Sequence, residues 1–211
     1  MKITDITVTK KGRFAVFVDG EFLFSAQEEA LVRSGLRPGD ETDIHALEEL
    51  RRESEYIFGR EYALHLLEYK AYSRSMLLQR LERYVDAEAA VRVADRLCEL
   101  GLINDSYYAS TYARDLFRLK GYSRQRIAQA LRQKGIGREE IEEALAQFED
   151  EDVEEKLYAL VTGRYLRYLG DEKGRQKAQN ALLRMGYRYG EIHTALRRAR
   201  EEYAGQFPDW D

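Results

Sequence analysis

Residues 108–137 read YASTYARDLFRLKGYSRQRIAQALRQKGIG, and the punctuation inside this stretch decides the fold. In Lys120-Gly121-Tyr122-Ser123-Arg124 a helix stop is followed at once by a helix start. Gly121 can take the left-handed conformation that ends a helix, and the Ser123 hydroxyl can cap the free N–H groups of the next one. Fifty residues earlier stands Lys70-Ala71-Tyr72-Ser73-Arg74, followed again by an apolar helical stripe through Leu77 and Leu81. Fifty-one residues after Arg124 stands Arg175, and behind it Leu182, Gly186, Ile192 and Leu196 fall in register with Leu131, Gly135, Ile141 and Leu145. Units of about 50 residues cannot bury their stripes alone and must stack on their neighbours. The expectation is a mainly α fold, an elongated array of three tandem three-helix repeats behind a small N-terminal β-hairpin and helix unit.

The N-terminal unit occupies residues 1–55. Ile6 and Val8 alternate with threonines, Lys11-Gly12 offers a turn, and Phe14, Val16 and Val18 form a second alternating run. Asp19-Gly20 is a hairpin signal, because both central residues of a type I′ turn need positive φ. Glu21 to Phe24 is the returning strand. A short helix is expected over 25–34, a second is capped by Asp43, and 51–55 is expected to be a charged junction. Repeat one then spans 56–103 (helices 56–70, 73–84 and 86–100). Repeat two spans 104–152 (helices 106–119, 123–134 and 138–148). Repeat three spans 153–204 (helices 153–169, 174–185 and 189–203). A tail follows at 205–211, where Phe207 and Trp210 can anchor locally.

Composition agrees with this. The 211 residues are 44% apolar and 34% charged with two prolines, which suits amphipathic helices. No apolar run approaches the ~20 residues of a membrane span, and the N-terminus lacks the apolar core of a secretory signal. The single cysteine, Cys98, excludes an internal disulfide and sits in an apolar helical pattern as a structural thiol. The expected setting is cytoplasmic.

The net charge of −4 is unevenly spread. Eight basic residues face one acidic between Arg114 and Arg138, ten acidic residues face no basic one between Glu139 and Glu155, and eight basic face one acidic between Lys173 and Arg200. Such runs are either solvated helix faces or a surface for a partner of complementary charge. Ile127 and Leu131 point to the core, so Arg126, Gln129 and Gln133 share an outward strip. Lys177, Asn180 and Arg184 repeat it in repeat three, and Met76, Gln79 and Arg83 repeat it more weakly in repeat one. Charge pattern nominates Arg114, Arg118, Lys120, Arg126, Arg132, Lys134, Lys173, Lys177, Arg184 and Arg188 as partner or nucleic-acid contacts.

Signals for chemistry are missing. There is no phosphate-cradling G-x-x-x-x-G-K-[ST] loop. His45, His65 and His193 lie in separate segments without a second ligand at metal spacing. The acidic run has no calcium-loop pattern. No catalytic, metal or cofactor site is expected. The 15 tyrosines are either core or stacking residues: Tyr108 and Tyr112 fit the core stripe of their helix, and Tyr72 and Tyr122 fit the joints beside the helix starts.

One combination of segments carries a family resemblance. Residues 17–22 (Phe-Val-Asp-Gly-Glu-Phe) precede Leu36-Arg37-Pro38-Gly39-Asp40. The two Tyr-Ser-Arg blocks flank Gly101-Leu102-Ile103-Asn104-Asp105, which leads to Tyr107, Tyr108, Ala109, Tyr112 and Ala113, and Lys134-Gly135-Ile136 closes the series. Together they resemble the RecX family of bacterial regulatory proteins, from the hairpin to about Tyr203. Repeat three departs from the pattern, with Asp171-Glu172-Lys173-Gly174-Arg175 in place of the Tyr-Ser pair. The resemblance implies tandem three-helix repeats and a non-catalytic modulator that lies in the groove of the RecA–single-stranded DNA filament. It implies restraint of the recombinase, ATPase and co-protease activities of RecA, and hence a part in DNA repair and the SOS response. It supplies no invariant active site. The alternative is a single-stranded DNA-binding repeat protein that acts without RecA, against which the overall acidity counts. A monomer is expected in either case.

Overall fold

The computed structural model describes residues 1–203, so Phe207 and Trp210 lie outside the described residues. Two compact units are present, Met1–Asn104 and the residues from Asp105 onward. The fold is mainly helical, with one small sheet at the start of the first unit.

That sheet is antiparallel in the order β1 (Ile3–Val8), β2 (Phe14–Val18), β3 (Glu21–Ala26). Asp19 (φ 50°) and Gly20 (φ 90°) make the tight turn between β2 and β3. The register shifts between Val16 and Phe17, which pair with Phe24 and Phe22, leaving Leu23 as the extra residue of a bulge. One face of the sheet buries Val16, Val18 and Ala26 against α1 (Glu28–Ser34) and the first half of α2 (Ile44–Tyr69). The loop between α1 and α2 closes on the sheet edge, with Ile3 N–H donating to Asp40 O at 3.0 Å and Gly39 N–H to Ile3 O at 2.8 Å. Ser25 and Ala26, expected in the first helix, belong to the strand instead.

The charged junction expected at 51–55 does not exist: α2 runs through it without a break. Leu47, Leu50, Ser54 and Ile57 keep one buried stripe at helical spacing while the charges point outward. Ser54 fits the stripe because its hydroxyl accepts the Gln27 N–H at 2.8 Å. Glu53 accepts ion pairs from Arg33 (2.7 Å) and Arg92 (3.0 Å), tying α1 and α4 (Ala87–Glu99) to α2. The second half of α2 packs with α3 (Arg74–Leu81) and α4 around Ala63, Leu77, Leu81, Val93 and Leu97, with Cys98 half-buried at the margin.

In the second unit, α5 (Asp105–Asp115), α6 (Arg124–Gln133) and α7 (Arg138–Ala146) share a core of Ala109, Ala113, Ile127, Leu131, Ile141 and Phe148. Tyr108 and Tyr112 stack on each other at 5.7 Å and pack against that core. Next, α8 (Asp150–Ala159), α9 (Glu172–Arg184) and α10 (Tyr189–Tyr203) enclose Leu157, Val161, Leu169, Leu182 and Ile192. Both leading helices widen before they end. A π turn at Leu116–Lys120 follows α5, and one at Leu160–Tyr165 follows α8, where a 3₁₀ turn at Leu166–Tyr168 completes the segment.

The helix starts explain the repeat pattern and its exception. Ser73 accepts from Met76 N–H at 3.2 Å and Ser123 from Arg126 N–H at 3.3 Å. In the departing third segment Asp171 does the same for Gly174 N–H at 2.7 Å, so cap chemistry persists although the Tyr-Ser pair is gone. Gly174 is required there: a Cβ would stand 1.8 Å from the Tyr168 carbonyl oxygen.

Candidate partner-binding surface

The second unit contains a seam where the elbow ahead of α6 meets the turn between α9 and α10. Ser123 N–H donates to Met185 O at 3.0 Å, and the Tyr187 hydroxyl donates to Gly121 O, also at 3.0 Å, across 66 residues of sequence. Gly186 lies at φ 91°, and a Cβ on it would fall 2.5 Å from Ser123 Oγ and 2.6 Å from Arg126 Cβ. A Cβ on Gly121, at φ 66°, would fall 2.9 Å from Leu160 Cδ1 and 3.1 Å from Met185 Cε, both ends of flexible side chains. Positive φ favours glycine at both points, and at Gly186 the close approach requires it as well. The Tyr122 ring packs on both helical cores of the unit. Tyr187 is almost fully buried, and that burial, followed by the Glu191 charge, pushes its hydroxyl pKa well above the usual value.

The seam arranges charge. Arg126, in the first turn of α6, lies directly under Gly186, while Arg184 and Arg188 flank Gly186 by two residues on either side. Their Cα atoms are therefore within about 8 Å of it along the chain. Arg126 donates from Nη1 to Gln129 Oε1 at 2.6 Å and lies over the Tyr122 ring at 5.6 Å. Its Nε is buried without an acceptor among the described residues, which marks a side chain clamped along its stem. Arg184 and Arg188 are exposed.

The remaining nominated cations spread outward. Arg114 is in the last turn of α5, and Arg118 and Lys120 ride the π turn, which Lys156 holds by donating to Arg118 O at 3.0 Å. Arg132 and Lys134 stand at the far end of α6, the Lys134 ammonium 6.0 Å from the Tyr112 ring centre. Lys173 and Lys177 lie towards the start of α9; eleven residues of helix put Lys173 about 16 Å from Arg184. Among the described residues, Arg114, Arg118, Lys120, Arg126, Arg132, Lys173, Lys177, Arg184 and Arg188 take part in no ion pair. By contrast Arg124 pairs with Asp150 at 2.5 Å, Arg138 with Glu142 and Arg175 with Glu172.

The ten positions thus do not form one patch. The seam gathers Arg126, Arg184 and Arg188, and the others lie along the helices leading away from it. In the first unit the corresponding strip fails: α3 ends at Leu81, ahead of Arg83, and Met76 packs on the core. The sequence pattern placed Gly186 as a repeat position in register with Gly135, and nominated neither it nor Tyr189 for the surface. Gly186-Tyr187 echoes Gly121-Tyr122, and that echo was the available signal. Tyr189 is 62% exposed beside Arg188 and stacks on His193. Among the described residues no group of three His, Cys, Asp or Glu stands close enough to share a metal ion, and no helix is long and apolar enough to cross a membrane.

Comparison with known proteins matches residues 1–43 to the family described as "Regulatory protein RecX N-terminal domain" and residues 104–145 to "RecX, second three-helix domain". The Regulatory protein RecX of Limosilactobacillus reuteri is 30% identical over 190 residues, covering 88% of this chain and 72% of that protein. The chain belongs to the RecX family. The RecX protein of Clostridium perfringens strain 13 is 29% identical over 204 residues, 93% of this chain and 95% of its own. A crystal structure of regulatory protein RecX superposes with a TM-score of 0.66 at 28% identity over 93% of this chain and 98% of that one. RecX from Lactobacillus salivarius superposes at 0.61 and 26% identity, over 68% of this chain and 96% of its own. The fold is therefore that of the RecX regulatory proteins.

Proposed function

We propose that this chain is a non-catalytic regulator that binds the RecA–single-stranded DNA filament and inhibits the recombinase, ATPase and co-protease activities of RecA. Its setting is the cytoplasm, its role the control of DNA repair and the SOS response, and its form a monomer of three tandem three-helix repeats. The observation that carries the reading, beyond family membership, is the seam. It brings the turn that carries Arg184 and Arg188 against the first turn of α6, which carries Arg126, and these three arginines take part in no ion pair among the described residues. Charges kept free of internal partners contribute little to folding and are available to steer and orient a partner. The nominated cations outside the seam lie on α5, the π turn after it, α6 and α9.

The test is a binding comparison across salt concentrations, with the filament and with bare single-stranded DNA. The reading expects tighter binding to the filament and weak, steeply salt-dependent binding to bare DNA. A second reading, direct single-stranded DNA binding without RecA, is favoured by Tyr189, an exposed ring beside Arg188 on which a base can stack. It expects equal affinity for both ligands, with a salt slope reflecting several released counterions.

A further inference from the structure

We infer that Arg126, Arg184 and Arg188 form a single recognition site for closely spaced carboxylates on a protein surface, and that Gly186 is the positioning residue that sets their register. This rests on the filament-binding reading and names the component of the filament that the seam addresses.

Three observations carry it. The first is the kind of cation. All three nominated residues at the seam are arginines, whose planar forks match carboxylates bidentately, whereas the lysines of the set lie away from it. The second is preorganisation. Arg126 is clamped by Gly186 above, Tyr122 beside it and Gln129 ahead, so little side-chain freedom is left to lose on binding. The third is the electrostatic neighbourhood, which separates protein from nucleic acid. α7, which packs on α6, carries the exposed carboxylates Glu139 and Glu143, while Glu142 is paired with Arg138. The side chain of Glu191 reaches back to the Arg188 N–H at 2.6 Å. A phosphate backbone carries one sign along its length and meets repulsion beside such groups. A protein surface of mixed charge does not.

Gly186 matters because the spacing between Arg126 and its two partners is set by a contact with no slack. Any side chain at 186 must push the α9–α10 turn off the first turn of α6. The three arginines then remain present and charged but no longer address one target.

The test is a double-mutant cycle on affinity for the RecA–single-stranded DNA filament, using Arg126→Ala, Arg188→Ala and both together, in the parent chain and in Gly186→Ala. In the parent chain each single change weakens binding about tenfold, and the two together weaken it well short of the hundredfold of independent sites. In Gly186→Ala the same changes become additive. If Gly186→Ala does not fold, the parent-chain cycle and a companion measurement on bare single-stranded DNA decide the matter, the Arg126→Ala, Arg188→Ala chain keeping its DNA affinity within about threefold. Additive losses in the parent chain overturn the shared site. Equal losses on bare DNA overturn the carboxylate assignment in favour of phosphate. A parent chain that binds no filament at all refutes the function proposed above, an outcome distinct from both.

Discussion

Gly174→Ala sets helix propensity against geometry. Gly174 lies in the first turn of α9, buried and outside the positive-φ region, where alanine normally stabilises by about 1 kcal/mol. The structure predicts the reverse. An added Cβ would sit 1.8 Å from the Tyr168 carbonyl oxygen and 2.8 Å from its carbon, and neither is the end of a flexible side chain. The turn at 166–171 must move, at a cost typical of overpacking, about 1–3 kcal/mol. The Asp171 cap on the Gly174 N–H moves with it, at a further cost of about 1 kcal/mol. After the propensity gain, the expected net destabilisation is about 1–3 kcal/mol. The control is Gly163→Ala in the preceding π turn, where nothing lies within 4 Å of the new methyl; it is expected to be neutral or stabilising by up to about 1 kcal/mol. Urea unfolding followed by circular dichroism gives the sign, and hydrogen exchange of α9 amides localises it. A Gly174→Ala protein as stable as the parent would refute the close approach of α9 to Tyr168.

Other perturbations address single interactions. Ser123→Ala removes the α6 cap and is expected to cost about 0.5–2 kcal/mol, with Ser123→Asp recovering part of it; thermal denaturation measures both. Glu53→Gln breaks the pairs with Arg33 and Arg92, and is expected to lower the stability of the first unit by about 1 kcal/mol at low salt and by less at high salt. Tyr187 holds its proton more tightly in the folded chain than in the unfolded one. Its contribution to stability is therefore complete below the ordinary tyrosine pKa of about 10 and is lost as pH rises towards the raised folded value. Ultraviolet titration of tyrosinate should show several late-ionising groups, Tyr158 among them through its hydrogen bond to Glu202, and Tyr187→Phe should remove one of these; an early titration of Tyr187 would contradict its burial against Gly121 O.

What was legible in the sequence was local. The type I′ turn at Asp19-Gly20, the caps at Ser73 and Ser123 and the apolar stripes of α6 and α9 depend on residues within a few positions of each other. Features that needed a distant partner were not legible. The charges at 51–55 looked like a break because Ser54 fits the buried stripe only through the Gln27 N–H. The π turns after α5 and α8 were hidden because five or six residues are too few to separate a widened turn from an ordinary one. Charge counting found the arginines of the seam but spread its nominations over four stretches. Which of them adjoin is decided by the contact of Gly186 with Arg126, which neither the register of Gly186 with Gly135 nor a second Gly-Tyr pair reveals.

The most direct test of the functional account is the single-stranded-DNA-dependent ATP hydrolysis of RecA from the matching organism, titrated with this protein. A variant with Arg126, Arg132, Lys177 and Arg184 changed to alanine, verified as folded by circular dichroism, is titrated in parallel. The account predicts inhibition at amounts well below one copy per RecA, with the variant needing substantially more protein for the same effect. Full RecA activity at stoichiometric amounts of the folded parent chain would contradict it.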